Sequence, residues 1–128
     1  MSRLGAVILL VRDYDEAIAF YVDKLGFDLS GDTDMGDGKR WVRVTPKGGE
    51  TSLILARATT ASQLTAVGAQ AGDRVWLFLE TDDFARDHAA FTAAGVVFRE
   101  MPRHEPYGVV AVFEDLYGNG WDLIQPAL

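Results

Sequence analysis

An aspartate ahead of an apolar helical run and a glycine behind it occur twice in this chain. Asp13 recurs as Asp83 and Gly26 as Gly95, offsets of 70 and 69 residues. The elements around each pair follow one order: strand, helix, then three strands. Val7, Ile8, Leu9, Leu10 and Val11 form a branched apolar run, the pattern of a strand buried on both faces. Asp13 or Asp15 offers an N-cap, and Ala17, Ile18, Phe20, Tyr21 and Leu25 recur at helical spacing. This predicts a helix over 14–24 that Gly26 ends in a left-handed conformation. Strands are expected at 27–33, 40–45 and 51–56, with Asp37-Gly38 turning the first hairpin. Residues 57–72 are small and polar, with weak helical character, and read as a linker.

The second copy begins with a strand at 75–80 and a cap at Asp82 or Asp83. Phe84, His88, Phe91 and Ala94 mark its helix. Strands follow at 96–99, 109–113 and 121–124, with a turn over 115–120 before the last. The predicted class is therefore α+β, two tandem βαβββ modules of mixed sheet in one domain spanning 1–128. Module one covers about 4–56, the linker 57–72 and module two about 73–126. A four-stranded module with one helix leaves a sheet face bare, so the two are expected to pair through those faces around a cleft. Clefts of this kind hold small molecules.

Composition narrows the partners. The chain has 128 residues and 48% of them are apolar, enough for a buried core. Twelve basic and 19 acidic residues give a formal charge of −7, and the basic ones are scattered, which disfavours a nucleic-acid backbone as partner. No apolar run approaches the roughly 20 residues of a membrane span. Met1-Ser2-Arg3-Leu4 lacks the apolar stretch of a secretory leader, and cysteine is absent, so a cytoplasmic location is expected. Asp32-Thr33-Asp34-Met35-Gly36-Asp37 resembles the opening of a calcium loop, but it lacks the oxygen donor at the fifth position and the glutamate at the twelfth. A charged hairpin is expected there. Serine nucleophiles have no evident His/Asp partners.

Three segments together resemble the glyoxalase/bleomycin-resistance/extradiol-dioxygenase superfamily, the vicinal oxygen chelate (VOC) proteins. They are Val11-Arg12-Asp13-Tyr14-Asp15-Glu16-Ala17-Ile18-Ala19-Phe20-Tyr21 with Leu25-Gly26-Phe27, Glu80-Thr81-Asp82-Asp83-Phe84 leading to Ala93-Ala94-Gly95-Val96, and Phe113 through Leu123 around Gly118-Asn119-Gly120. The resemblance spans nearly the whole chain and implies the two-module fold. It implies much less about activity, because the superfamily includes isomerases, dioxygenases and proteins that only sequester ligands. It also implies a homodimer. Its metal enzymes carry His and Glu ligands on the first and last strands of each module, positions that fall here on Ala6, Ile54, Trp76 and Asp122. Only Asp122 can ligate a metal, and one carboxylate does not hold a divalent ion against water. No cofactor is therefore expected.

Strand alternation from those positions turns Ala6, Ile8 and Leu10 to the cleft, with Trp76, Phe78 and Glu80 on the fifth strand and Asp122 and Ile124 on the eighth. The expected ligand-binding residues are Ile8, Leu10, Trp76, Phe78, Tyr107 and Asp122. Trp76 and Phe78 equally read as core plugs, and Asp122 as a structural carboxylate held by a neighbour. His88 lies mid-helix, whereas His104 sits in a proline-bounded loop, 102–108, that borders the cleft mouth in this family. The leading functional reading is a metal-independent binder of an apolar or aromatic molecule. A second is a lyase, isomerase or dioxygenase with a relocated site, in which Asp122, Glu80 and His104 supply acid–base groups or an unusual ligand set holds Zn, Ni, Mn or Fe. A third is a non-catalytic interaction module with a closed cleft.

Overall fold

The computed structural model describes residues 1–128. They form two compact units, Met1–Val67 and Gly68–Leu128, each built on one four-stranded sheet. The first unit runs through β1 (Ala6–Val11), α1 (Tyr14–Ile18), a π-helical continuation (Ala19–Lys24), β2 (Asp28–Gly36), β3 (Lys39–Thr45), β4 (Ser52–Arg57) and α2 (Ala61–Ala66). The second runs through β5 (Val75–Glu80), α3 (Phe84–Ala93), β6 (Arg103–Glu105), β7 (Gly108–Glu114) and β8 (Gly120–Pro126). The strand orders are β1-β4-β3-β2 and β5-β8-β7-β6. In both sheets the first strand lies parallel to the last, and the remaining pairs are antiparallel. These are the two tandem βαβββ modules expected from the repeat. No helix is long and apolar enough to cross a membrane.

The repeated aspartates and glycines set the ends of the helices. Asp13 Oδ2 accepts the Glu16 N–H at 2.8 Å, and Asp83 Oδ1 accepts the Arg86 N–H at 3.1 Å. Each satisfies one of the amide donors that a helix start leaves without an intrahelical acceptor. Gly26 and Gly95 follow with φ of 75° and 89°, the left-handed region that suits glycine. The first helix differs from a plain α-helix. Its second half steps to a wider hydrogen bond, Leu25 N–H to the Phe20 carbonyl at 3.1 Å, while Tyr21 is fully buried against Phe20 and Phe27.

The helix-covered face of each sheet is its core. In the first sheet Leu9 pairs with Leu55, which pairs in turn with Val42, and all three are essentially inaccessible. Each such side chain contributes about 1.5–3 kcal/mol of burial. In the second sheet Ala111, Phe113 and Leu123 are fully buried, and the Phe113 ring lies 5.3 Å from Phe91 of α3 and 5.9 Å from Trp121.

Two expectations need correction. Residues 57–72 contain a helix, α2, because Thr60 caps it and Gln63 reaches back to Thr59. Thr60 Oγ1 accepts the Gln63 N–H, and Gln63 Oε1 accepts the Thr59 N–H. The second is the strand assigned to 96–99. That stretch makes an isolated bridge, Phe98 to Phe113, and the paired strand is β6, Arg103–Glu105. Both run along the same edge of β7, and Pro102 lies between them with no N–H to give. Glu100 fills the gap, its Oε2 accepting the Val112 N–H at 3.0 Å.

Candidate functional site

Alternation leaves the other face of each sheet away from its helix. On β1 this face carries Ala6, Ile8 and Leu10, next to Ile54 of β4, which pairs with Ile8 and with Arg43 of β3. Ile8 is 58% exposed, Leu10 is half-buried and Ile54 is buried. On the second sheet, Phe78 pairs with Asp122, which pairs with Val112, and Glu80 pairs with Ile124, which pairs with Val110. Phe78 is 65% exposed and Glu80 is exposed. A bare phenylalanine at the centre of a strand does not do the work of a core plug.

Trp76 departs from simple alternation. The β5–β8 register slips between Val75 and Leu77, so Trp76 sits in a bulge, half-buried, with its ring 5.7 Å from Trp121 and nearly perpendicular to it. Its partner is thus an aromatic of the core. A bulge of this kind leaves no mark in hydrophobic periodicity.

His104 is not in a loop. It lies on β6, exposed, with Val109 as its cross-strand partner, so it shares a face with Val109. Asp122 shares the opposite face with Val110 and Val112. The turn at Pro106-Tyr107 joins β6 to β7. The acid–base set of Asp122, Glu80 and His104 is therefore not gathered on one surface, although Glu80 and Asp122 lie on the same one.

Sequence reasoning missed a charged network beside Asp122. Arg103 donates from Nε to both Glu100 oxygens, at 3.0 and 3.1 Å, and from a terminal nitrogen to Glu105 at 3.0 Å and the Tyr107 hydroxyl at 3.4 Å. Arg103 and Glu105 pair with Val110 and Gly108, which puts them on the Asp122 face. Asp122 Oδ1 is buried and has no hydrogen-bond partner. Burial pushes its carboxyl above the usual range, Arg103 pulls it down and Glu100 pushes it up. The signal available in the sequence was the alternating Arg103-His104-Glu105, the pattern of a short edge strand.

Two motifs turn out to be structural. The acidic stretch at 32–37 is the end of β2 and its hairpin, where Asp37 and Gly38 both have positive φ. A polar recess of about 450 Å³ there is lined by Asp32, Asp34, Gly36, Asp37, Gly38 and Arg40. Arg40 takes both Asp32 oxygens, and this hydrogen bonding holds the Asp32 carboxyl below its ordinary pKa. The Asp115–Gly120 turn is held by Asp115, which accepts from the Tyr117 and Asn119 amides, while Asn119 Oδ1 accepts from the Gln70 amide at 3.1 Å. Gly68 packs against this turn, at a point where a Cβ would stand 2.0 Å from the Tyr117 carbonyl oxygen.

The family model for the glyoxalase/bleomycin resistance protein/dioxygenase superfamily matches residues 3–123. The chain belongs to this superfamily. An uncharacterised relative from Shewanella frigidimarina (strain NCIMB 400) is 54% identical over 121 residues, covering 93% of this chain and 90% of the relative. Among solved structures, UcmS2 is 30% identical with a TM-score of 0.84, over 97% of this chain and 98% of its own. TnmS3, described as an antibiotic binding protein from Streptomyces sp. CB03234, is 34% identical with a TM-score of 0.80, over 99% and 98%.

The superfamily's resident metals are not matched by donors here. The resemblance puts three of the four ligand positions on Ala6, Ile54 and Trp76, whose side chains offer no ligating atom. No group of three His, Cys, Asp or Glu side chains is arranged to hold an ion. Asp122 has the Arg103 guanidinium as a charged neighbour. The residues present do not fit a divalent ion.

Proposed function

We propose that this member of the glyoxalase/bleomycin-resistance superfamily is a metal-independent binder of an apolar or aromatic small molecule. The observation that carries the reading is Phe78, 65% exposed beside the half-buried Asp122 on the helix-free face of the second sheet. An apolar surface with a few fixed polar groups suits an organic ligand. In this reading Phe78, Trp76, Tyr107 and Asp122 contact the ligand, and Ile8 and Leu10 serve the same purpose on the first sheet. The likeness to TnmS3, described as an antibiotic binding protein, supports a small-molecule ligand. A homodimer belongs to the proposal, since Ile8, Trp41 and Phe78 are large apolar side chains left exposed within one chain.

A thermal-shift screen of aromatic small molecules tests the reading. A binder stabilises the folded chain by mass action, by about 2.7 kcal/mol at a ligand concentration of 100 Kd, and so raises its melting temperature. The shift is expected without added metal, to be unchanged by Zn, Ni, Mn or Fe, and to be lost in Phe78→Ala. Absence of any shift across the screen, or a shift that appears only with a metal, rejects the proposal.

A further inference from the structure

The second sheet also states what such a ligand must carry. Asp122 pairs with the exposed Phe78 on one side and with Val112 on the other, so its carboxyl stands between an aromatic ring and an aliphatic side chain. Its Oδ1 is sealed from solvent without a donor. A buried acceptor left unpaired is costly, and native structures rarely retain one that has no use. The nearby cation does not serve it. The Arg103 Nε is taken by Glu100, and one terminal nitrogen by Glu105 and Tyr107. With Glu100 and Glu105 beside it, the cluster holds three carboxyl groups against one guanidinium. An additional donor is accommodated there and an additional acceptor is repelled.

Building on the binding reading above, we propose that Asp122 is a specificity-determining residue that selects ring-bearing ligands with a hydrogen-bond donor, a hydroxyl or amine, adjacent to the ring. The ring lies against Phe78, and the donor meets the half-buried Asp122 carboxyl from the open side of the sheet through Oδ2, the oxygen that is not sealed. Arg103 acts as a positioning residue. Held by Glu100 and Glu105, it keeps its guanidinium from closing on Asp122 and silencing the acceptor. The upward push on the Asp122 carboxyl from burial fits the same picture, because a hydrogen bond from an incoming donor offsets the lost hydration of the charged form.

The probes are 2-naphthol, which carries the donor, and 2-methoxynaphthalene, in which a methyl group blocks it. Binding is read by titration calorimetry and by chemical-shift changes at residues 76–80 and 120–124. For the unaltered protein, 2-naphthol is expected to bind at least about tenfold more tightly, the value of one hydrogen bond to a carboxylate in a sheltered site. In Asp122→Leu the preference for 2-naphthol over 2-methoxynaphthalene is expected to vanish. Asp122→Asn, which keeps size and polarity, is expected to retain the fold and lose most of the preference. Equal affinity of the two probes for the unaltered protein, with shifts centred on Phe78, overturns donor selection and leaves the binding reading standing. A preference that survives in both variants also overturns it. No shift at Phe78 with either probe overturns donor selection and counts against the aromatic-binding reading as well.

Discussion

At the scale of single residues, Asp122 has the most to say, because its environment works against its charge. Its carboxyl pKa is raised in the folded chain, chiefly by burial. The native state therefore holds its proton to higher pH than the unfolded chain does. Stability falls as pH rises through the interval between the ordinary and the raised value, and the full penalty applies above it. Asp122→Asn carries no such penalty. Urea unfolding is expected to show the variant more stable than the parent at pH 7, because the partly desolvated charge is gone. The gap is expected to close below about pH 4, where an ordinary carboxyl is protonated in both states. A variant equally or less stable at pH 7 contradicts the account. Phe78 was legible as a face residue by alternation from the positions that the family resemblance supplied. The unpaired state of Asp122 was not, because it depends on Arg103 being engaged elsewhere.

At the scale of elements, the edge of β7 shows how a side chain can complete a strand. Residues 97–99 and β6 bond to different parts of one edge. Arg99 N–H reaches the Val112 carbonyl at 2.8 Å, and Arg103 pairs with Val110. Between them the Val112 amide is met by Glu100 rather than by backbone. Glu100→Ala removes that acceptor and one partner of Arg103. The Val112 amide is expected to exchange with solvent at least about tenfold faster, as the loss of a bond worth roughly 1.5–3 kcal/mol implies. Exchange by NMR at Val112, with Ala111 as a buried reference, measures it. An unchanged Val112 rate would mean that the carboxylate is not the protecting group. This edge also explains why the strand was expected at 96–99. The apolar Val96, Val97 and Phe98 carry the strand signal, while the paired Arg103-His104-Glu105 is charged and short, as edge strands often are. The helix α2 was hidden for another reason. Its Thr60…Gln63 capping pair was present in the sequence, but the six residues after the cap lack a wide apolar stripe.

At the scale of the whole molecule, the proposed homodimer makes a plain prediction. Sedimentation velocity on the 14.0 kDa chain is expected to give one species of twice that mass at micromolar concentration. A monomer at all concentrations rejects the dimer while leaving ligand binding to its own test. The sequence by itself determined the two βαβββ modules, a capping aspartate at 13 or 15 and at 82 or 83, the terminating glycines and the superfamily, because each is written in local periodicity, spacing or a requirement for positive φ. Only the tertiary structure decided that His104 and Asp122 occupy opposite faces, that a bulge turns Trp76 onto Trp121, and that Arg103 is claimed by its glutamates. Those outcomes depend on register and on competition among partners distant in sequence, and a shift of one residue in a strand reverses which side a side chain serves.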